Sequence, residues 1–278
     1  MVEKTVLVTG GSGFVGREVL RELRAKAVPV RLILREGRQS PIELDAGIDG
    51  IIRTNDLFAE SVSWWADACE GIDTVIHLAW YAEPGRYLQS PLNLDCLAGT
   101  VTLAKGAAAA RVRRWVGIGT CFEYDVGAGR LAVDTPLRPT TQYAGAKAAA
   151  YLSLLPWFKE AGIEFLWCRL FYLYGGEHEN EHRLVPYIRR QLAAGEPAGL
   201  TSGNQIRDFM DVRDAGRMIV DAALGSRQGA VNICSGVAVS VRELAERIAD
   251  EFGRRDLLRF GARPDNLVDP PVVVGVCD

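Results

Sequence analysis

A glycine-rich segment near the start of the chain constrains the fold more than any other feature. Thr5–Thr9 is a short β-branched run that predicts a buried strand, and Val15–Lys26 has the pattern of a helix. The segment that joins them is Thr9-Gly10-Gly11-Ser12-Gly13-Phe14-Val15-Gly16. Its spaced glycines permit a tight turn, a close approach of the backbone to a pyrophosphate, and packing of the helix on the strand. We therefore expect a dinucleotide-binding turn with the helix N-terminus facing the phosphates. A glycine-rich turn without a ligand is the alternative.

Strands and helices alternate along the first part of the chain. Five further runs predict strands: Val30–Leu34, Ile51–Ile52, Asp73–Ala79, Trp115–Gly119 and Ile163–Cys168. Helical patterns lie between them, notably Leu92–Ala110 and Gln142–Phe158. Such alternation is typical of right-handed βαβ units. The predicted fold is α/β, with a doubly wound parallel sheet of the Rossmann type.

The regular alternation weakens after Tyr174-Gly175-Gly176. Later helical patterns cover Leu184–Ala194 and Val241–Phe252. We expect a dinucleotide-binding domain over residues 1–174, to which segments near 205–235 return. Residues 175–278 are expected to form mostly a smaller C-terminal, substrate-binding lobe.

The charge and hydropathy of the chain exclude several classes of function. The net charge is −3 and the pI is about 5.8. Three neighbouring arginines, Arg111, Arg113 and Arg114, are expected to form a solvated helix end rather than a basic face. Nucleic acid is therefore not an expected partner. No stretch approaches the roughly 18 apolar residues that span a bilayer, so no membrane association is expected.

Cysteine and histidine usage argues against a metal site. The six cysteines form no CxxC pair, and the three histidines form no zinc-binding motif. The first predicted strand begins within a few residues of Met1, which leaves no room for a signal peptide. We expect a cytoplasmic protein with reduced thiols and no metal.

The end of the second predicted strand discriminates between nicotinamide cofactors. An acidic residue there would bind the adenine ribose hydroxyls of NAD. The chain instead has Leu34-Arg35-Glu36-Gly37-Arg38. Arg35 is placed to stack on adenine and bind a 2′-phosphate with help from Arg38, which favours NADP. NAD remains the alternative, with Glu36 on the ribose.

A tyrosine and a lysine have the spacing of an acid–base pair. In Tyr143-Ala-Gly-Ala-Lys147, the i, i+4 spacing places both side chains on one helix face. A tyrosine hydroxyl can donate or remove an alcohol proton if a nearby ammonium and a nicotinamide lower its pKa. A pair on the helix surface without a catalytic role has the same spacing.

These motifs resemble the signatures of the extended short-chain dehydrogenase/reductase superfamily, and within it the NAD-dependent epimerase/dehydratase family. Members of that family act largely on nucleotide sugars. Tyr143 and Lys147 match the family's YxxxK motif. The segment Trp115-Val-Gly-Ile-Gly-Thr120 resembles the one that carries a Ser or Thr, here Thr120, against the same substrate oxygen. The resemblance implies that these three residues are catalytic.

Further segments of the family pattern imply cofactor contacts. His77-Leu-Ala79 resembles a segment that lines the cofactor, and Asn55-Asp56-Leu57 resembles one placed near adenine. Arg169-Leu-Phe-Tyr-Leu-Tyr-Gly175 resembles the family's R-x-F-N-x-Y-G. The implied cofactor-binding residues are Gly10, Ser12, Gly13, Phe14, Val15, Gly16, Arg35, Arg38, Asp56, Leu57, Leu78, Ala79, Tyr143, Lys147 and Phe171.

Two arginines match positions that bind the substrate diphosphate in the family. Arg207 lies in a segment similar to R-D-F/Y-x-x-V, and Arg263 begins one similar to R-P-x-D. Thr120 and Tyr172 complete the implied substrate site. A structural pairing of Arg207 with Asp211 or Asp214 is the alternative.

Some residues depart from the family pattern. Cys96 and Tyr172 each stand where the family usually has an asparagine. The change at Tyr172 removes an expected contact with the sugar, so the orientation of the sugar stays open.

The residues after Thr120 limit the choice of reaction. A 4,6-dehydratase needs an acid and a base there, and this chain has Cys121 and Phe122. A 3,5-epimerase-reductase carries its cysteine at the position of Phe122. His178 and His182 lie in a charged loop and are expected at the surface.

A 4-ketoreductase needs only the hydride, the tyrosine and the threonine. We therefore expect a nucleotide-sugar 4-keto-reductase. An NAD-dependent 4-epimerase is the alternative, and a non-catalytic dinucleotide-binding protein is a further one. The resemblance also implies a homodimer, formed by the helices Leu92–Ala110 and Gln142–Phe158.

Overall fold

A computed structural model describes residues 5–41, 48–266 and 269–277. The strands of this part of the chain are β1 (Val6–Thr9), β2 (Val30–Arg35), β3 (Ile48–Thr54), β4 (Thr74–His77), β5 (Arg114–Thr120), β6 (Arg130–Leu131), β7 (Glu164–Leu170), β8 (Tyr172–Tyr174), β9 (Ala198–Gly199), β10 (Ile206–Asp211), β11 (Gly229–Ile233), β12 (Ala238–Ser240), β13 (Leu258–Arg259) and β14 (Val272–Gly275). Its helices are α1 (Phe14–Ala25), α2 (Val62–Ala68), α3 (Leu92–Ala109), α4 (Gln142–Ala161), α5 (Leu184–Ala193), α6 (Val212–Leu224) and α7 (Val241–Phe252).

Seven strands form a central parallel sheet in the order β11-β7-β5-β4-β1-β2-β3. The chain leaves β1 toward β2 and β3, and then crosses back to β4 on the other side of β1. The strand order therefore reverses between β1 and β4, and ligands of open α/β sheets bind at such a reversal, beyond the carboxyl ends of the strands. The expected α/β fold with a doubly wound parallel sheet is confirmed.

Helices cover both faces of this sheet. On one face α1 packs against α6, and Val19, Leu20 and Leu23 of α1 are fully buried. On the other face α3 packs against both α2 and α4, with Trp65 and Leu103 in the core between helices and sheet. Because both faces are covered, central strands such as β1 and β5 are buried at every residue.

The remaining strands form two smaller sheets. One has the order β12-β10-β14-β6, with β8 also paired to β10, and the other pairs β13 with β9. Helices α5 and α7 pack together around Ile188, Leu192, Ala245 and Ile248. Within residues 205–235, α6 packs on α1 and β11 joins the central sheet, whereas β10 belongs to the smaller sheet.

The expected solvated helix end at Arg111–Arg114 is wrong for Arg114. That residue opens β5 and is fully buried, and its guanidinium pairs with Glu164 at 2.7 Å. It also donates to the backbone oxygens of Ala222 and Arg227. Arg113 likewise pairs with Asp73 and Glu164. The partners lie about 40 or more residues away in sequence, so no local pattern indicates them.

The described residues contain neither a candidate membrane-spanning helix nor a candidate metal site. None of their helices is both long and apolar enough to cross a bilayer. Their His, Cys, Asp and Glu side chains form no group of three suited to hold a metal ion.

Candidate active site

The glycine turn after β1 is closely packed. Gly10 has a φ of +72°, and a Cβ on it would lie 2.5 Å from the backbone nitrogen of Ala79. A Cβ on Gly16 would lie 2.2 Å from the carbonyl oxygen of Gly10. Helix α1 begins with Gly13 as its N-cap, which offers no side chain to the first-turn N–H groups. The turn therefore fits a dinucleotide pyrophosphate, because its bare N–H groups and the helix dipole both favour an anion there.

A buried relay fixes the neighbouring loop. The Ala79 N–H donates to Oγ1 of Thr9 at 3.3 Å, and Thr9 lies 2.7 Å from Nδ1 of His77. On the other side of the ring, Nε2 lies 2.9 Å from Oγ1 of Thr100, which itself donates to the Cys96 carbonyl. The relay ties the glycine turn to Leu78–Ala79, the segment that the sequence predicts to line the cofactor.

Thr120, Tyr143 and Lys147 come together at the carboxyl end of β5. Thr120 is the last residue of that strand, and the other two lie near the start of α4, whose first turn is capped by Thr141. The Lys147 ammonium donates to the carbonyl oxygen of Ile118 at 2.5 Å and lies 6.0 Å from the Tyr143 ring centroid. This cluster lies at the end of the strand next to β4, near the reversal of the strand order.

The protonation of this cluster differs in one respect from the sequence-based expectation. Burial raises the pKa of Tyr143 above its ordinary value, and a hydrogen bond to Thr120 opposes this only in part. Without a cofactor the tyrosine is therefore a protonated donor, not the acidified phenol expected from Lys147. Burial lowers the pKa of Lys147 to about 7, while Glu123 opposes the fall.

A buried carboxylate supports the threonine. Glu123 is inaccessible to solvent and accepts the Thr120 backbone N–H at 2.8 Å. Its oxygens also accept from Nε1 of Trp167 and from Arg169, with which it forms an ion pair at 2.8 Å. The Thr-x-x-Glu spacing at Thr120 is the sequence signature of a capping box, and the structure forms that box. This signal could have found Glu123 from the sequence.

The residues predicted to contact adenine lie at or just after the ends of β2 and β3. Arg35 is the last residue of β2, and both Arg35 and Arg38 are exposed. Asp56 is also exposed, and its carboxylate accepts the Phe58 backbone N–H at 3.0 Å. Leu57 packs partly into the core beside α2.

Aromatic side chains and an arginine lie beside the segment that follows Thr120. Tyr172 contacts Phe122 edge to face, with ring centroids 6.0 Å apart, and Arg207 lies over the Tyr172 ring at 5.3 Å. Arg207 is buried and donates to the Ile206 carbonyl. Phe171, a predicted cofactor contact, is buried beside Cys121 in a small core cluster.

The structural pairing considered for Arg207 is not observed. Asp211 forms an ion pair with Arg213 at 2.6 Å, and Asp214 forms one with Arg217 at 3.0 Å. Arg207 is instead held by backbone carbonyls and by the Tyr172 ring.

Arg263 lies in a different place, in a cavity of about 460 Å³ between α5, β9 and α7. Its guanidinium lies 4.5 Å from the Tyr187 ring centroid. Leu200 and Thr201 line the same cavity. Arg207 contacts Tyr172, which packs against Phe122, whereas Arg263 lines this separate cavity.

Three side chains near the cluster were missed from the sequence. Tyr87 contacts Tyr143 edge to face at 4.8 Å, and Trp80 contacts it at 6.5 Å. Arg183 donates to the Leu173 carbonyl and lies 5.0 Å from the Phe14 ring centroid. Trp80 lies in a loop, Tyr87 begins a three-residue 3-10 helix, and Arg183 is the N-cap of α5. None of these positions belongs to a periodic pattern, so their proximity to the site arises only from the fold.

A protein-family model matches most of the chain. The model of the NAD-dependent epimerase/dehydratase family matches residues 6–234. The chain belongs to this family. The match begins in β1, includes the glycine turn and the Thr120, Tyr143 and Lys147 cluster, and ends just beyond β11.

Curated members of the family resemble the chain over nearly all of its length. The dTDP-6-deoxy-L-talose 4-dehydrogenase (NAD(+)) of Aggregatibacter actinomycetemcomitans is 25% identical, over 97% of this chain and 98% of its own. A dTDP-glucose 4,6-dehydratase of Streptomyces niveus is 27% identical, over 89% of this chain and 77% of its own. The relatives thus include both a dehydrogenase and a dehydratase of nucleotide sugars.

Solved structures of other proteins share the fold. The UDP-glucose 4-epimerase of Thermus thermophilus, in complex with NAD, superimposes with a TM-score of 0.82 at 22% identity. The match covers 98% of this chain and 90% of that one. At this identity the likeness shows a shared fold, and the family match shows an enzyme of the NAD-dependent epimerase/dehydratase type.

Proposed function

We propose that the protein is an oxidoreductase that reduces the 4-keto group of a nucleotide sugar with a nicotinamide dinucleotide. One observation carries the proposal: half-buried Tyr143 meets buried Thr120 and Lys147 in one cluster, and the two positions after the threonine hold a cysteine and a phenylalanine. Tyr143 is the proton donor of this cluster for C4, and neither Cys121 nor Phe122 adds a second acid–base group beside it.

The roles of the residues follow from their protonation. The cofactor, when bound, supplies the hydride. Tyr143 donates a proton to the forming alkoxide, since burial keeps the phenol protonated. The Thr120 hydroxyl holds the same oxygen by a hydrogen bond. The Lys147 ammonium holds the nicotinamide ribose and balances the negative charge that Tyr143 acquires.

The residues after Thr120 speak against other reactions of the family. Cys121 is buried, which raises the pKa of its thiol to about 12, so it is a poor acid or base near neutral pH. The Phe122 side chain has no acidic or basic group. Elimination of water across C5–C6, or epimerisation at C3 or C5, requires such groups. Reduction or oxidation at C4 does not.

The similarity to the Aggregatibacter enzyme supports the same position on the sugar. That relative is named as a 4-dehydrogenase of a dTDP-6-deoxy sugar, and the match extends over nearly the full length of both chains. Dehydrogenation at C4 is the reverse of the reduction that we propose.

The nucleotide diphosphate is proposed to lie along the side of the cluster formed by the smaller lobe. Arg207, beside Tyr172, is a buried cation close to the catalytic residues. Arg263 and Tyr187 line the lobe cavity of about 460 Å³, which has the size of a small-molecule site. Charge-assisted bonds from arginine are suited to a diphosphate.

We also propose that NADPH is preferred to NADH. Arg35 lies at the end of β2, where the adenine ribose is expected, and Arg38 follows in the same turn. The named cofactor of the Aggregatibacter relative is NAD(+). NAD therefore remains the alternative cofactor, with Glu36 as its ribose ligand.

The proposed reaction is tested by the ratio of NADPH consumed to 4-hydroxy sugar formed. The protein is incubated with 4-keto sugars linked to UDP, dTDP, CDP or GDP in D₂O, while NADPH absorbance is followed and the product is examined by proton NMR. One NADPH consumed per 4-hydroxy sugar formed, with no deuterium at C3 or C5, supports the proposal. Interconversion of C4 epimers of a 4-hydroxy sugar without cofactor consumption would establish the 4-epimerase instead. Retention of cofactor without turnover of any sugar would indicate a non-catalytic binding protein.

A further inference from the structure

The indole of Trp80 faces the catalytic lysine. Trp80 directly follows Ala79, the end of the buried relay beside the glycine turn. The Lys147 ammonium lies 3.9 Å from the centroid of the Trp80 ring, within the range of a strong cation–π contact. Lys147 is almost fully buried, so this contact is shielded from water.

We propose that Trp80 is a positioning residue, which holds Lys147 against its ring face and favours the charged form of the lysine. The consequence of the Trp80 contact for catalysis rests on the proposed function, because that consequence requires charged Lys147 to support proton donation by Tyr143. The effect on Lys147 itself does not rest on that function.

Trp80 is held in place by its own contacts. Its indole N–H donates to Oδ1 of Asn93 at 2.8 Å, and Asn93 is fully buried. The amide of Asn93 donates in turn to the backbone oxygens of Tyr87 and Ser90. The ring also contacts Tyr143 edge to face. Because these contacts already fix the Trp80 ring, its π face lies against the lysine with little further loss of rotamer freedom.

Groups from four neighbouring elements also face Lys147. The Glu123 carboxylate after β5 and the Cys96 thiol of α3 favour the charged lysine. The neutral His77 of β4 is close enough that the lysine charge lowers the pKa of its imidazole. The Trp167 ring of β7 lies 6.0 Å from the ammonium, and Tyr143 lies on the same helix.

Burial outweighs the neighbouring groups that favour the ammonium, so Lys147 titrates much closer to neutral pH than an ordinary lysine. Burial lowers the pKa of Lys147 to about 7, well below the ordinary value of a lysine. A shielded cation–π contact shifts such a pKa upward by roughly half to one and a half units. For any group at its titration midpoint, a fall of one pKa unit reduces the charged fraction from about one half to about one tenth. Near neutral pH, the Trp80 contact therefore has a large effect on the charge of Lys147.

The pKa of Lys147 can be measured directly, since the chain has five lysines. Lysine labelled with ¹³C at Cε gives five resonances in the cofactor-free protein, and Lys147→Arg assigns one of them by its disappearance. Trp80→Leu removes the π face and keeps a similar apolar body. We expect it to lower the Lys147 pKa by roughly half to one and a half units. An unchanged or raised titration midpoint would overturn the proposal.

Two further variants separate the ring face from other effects of the substitution. Trp80→Phe keeps a π face without the indole N–H, so its Lys147 pKa should lie between those of the wild type and Trp80→Leu. Trp157→Leu, at a partly exposed position on the same helix as Lys147, should leave the pKa unchanged. Equal shifts in Trp80→Phe and Trp80→Leu would assign the effect to the hydrogen bond to Asn93 and overturn the proposal.

A pH profile then tests the link to catalysis. Charged Lys147 is present below its pKa and lost as pH rises through it, so 4-keto reduction should decline above about pH 7 in the wild type. In Trp80→Leu this decline should begin at lower pH, by the shift measured by NMR. A shift in the Lys147 titration without any sugar turnover would reject the reductase and leave the role of Trp80 intact. If Trp80→Leu turns over the sugar with the same pH profile as the wild type although its Lys147 pKa has shifted, the catalytic part of the proposal is rejected.

Discussion

Thr9 at the end of β1 donates its hydroxyl hydrogen to Nδ1 of His77 at the end of β4, across a distance of 2.7 Å. The direction follows from the other side of the ring, where Thr100 donates to the Cys96 carbonyl and so accepts from Nε2 of His77. A neutral imidazole makes both hydrogen bonds, because Nδ1 accepts and Nε2 donates. Burial, with a smaller effect from the Lys147 charge, lowers the His77 pKa to about 3.

His77 should make the protein sensitive to acid. Between pH 6.5 and about 3 the unfolded chain binds a proton at His77 and the folded chain does not, so stability falls as pH falls through this window. At pH 4 the loss is on the order of 3 kcal/mol. Urea unfolding of wild type and His77→Asn from pH 7 to pH 4 measures it. The variant should show a shallower pH dependence. The same slope in both proteins, or an equal change in the control His178→Asn at an exposed position, would contradict this role.

Arg35→Asp should shift the cofactor preference toward NADH. It removes the cation at the end of β2 that we place against the 2′-phosphate and introduces a group that repels it. Calorimetric titration of both cofactors gives the ratio of dissociation constants, which we expect to shift at least tenfold in favour of NADH. Glu36→Ala is the matched variant. A wild type that prefers NADH, together with a loss of NADH affinity in Glu36→Ala, would assign ribose binding to Glu36.

Arg207→Ala should weaken binding of the nucleotide sugar. A charge-assisted hydrogen bond contributes roughly 1.5–3 kcal/mol, so KM should rise by about 10- to 150-fold. NADPH affinity should stay close to that of the wild type. Arg217→Ala, which breaks an exposed pair with Asp214, is the control and should change neither value. Equal weakening of cofactor and sugar in Arg207→Ala would show that the arginine is structural.

The protein should be a homodimer that uses α3 and α4. Leu94 on α3 and Leu152 on α4 are more than half exposed, although both are large apolar side chains. Leu152→Glu should therefore give a monomer by sedimentation at micromolar concentration, while Leu224→Glu on α6 should not. A monomeric wild type under the same conditions would refute the dimer.

The local motifs predicted the first strand, the glycine turn and the first helix well. The strand, glycine turn and helix at residues 5–26 depend on contacts close in sequence, and β1 and α1 form within a residue or two of the expected bounds. The end of α4 was placed three residues early, at Phe158, because the run continues to Ala161 before Gly162 adopts the left-handed conformation. The smaller sheets were not predicted, since β6, β9 and β13 are two residues long and have no measurable period.

In the candidate site, too, the features that depend on local sequence were predicted and those that depend on distant contacts were not. The YxxxK spacing and the strand end at Thr120 are local, and the structure brings these residues together. The burial of Arg114 and the contact of Trp80 with Lys147 depend on partners far away in sequence. The pKa of Tyr143 also depends on burial, which the fold determines and the spacing of the motif does not.

The rate of Tyr143→Phe on a 4-keto nucleotide sugar tests the central claim most directly. The substitution removes the proton donor and keeps the ring, which contacts Tyr87 and Trp80, so the fold and the affinity for NADPH should persist. Single-turnover oxidation of NADPH should slow by about 10²- to 10⁴-fold, the usual effect of losing a general acid. A single-turnover rate equal to that of the wild type, at unchanged NADPH affinity, would contradict the assignment of Tyr143 and the site built around it.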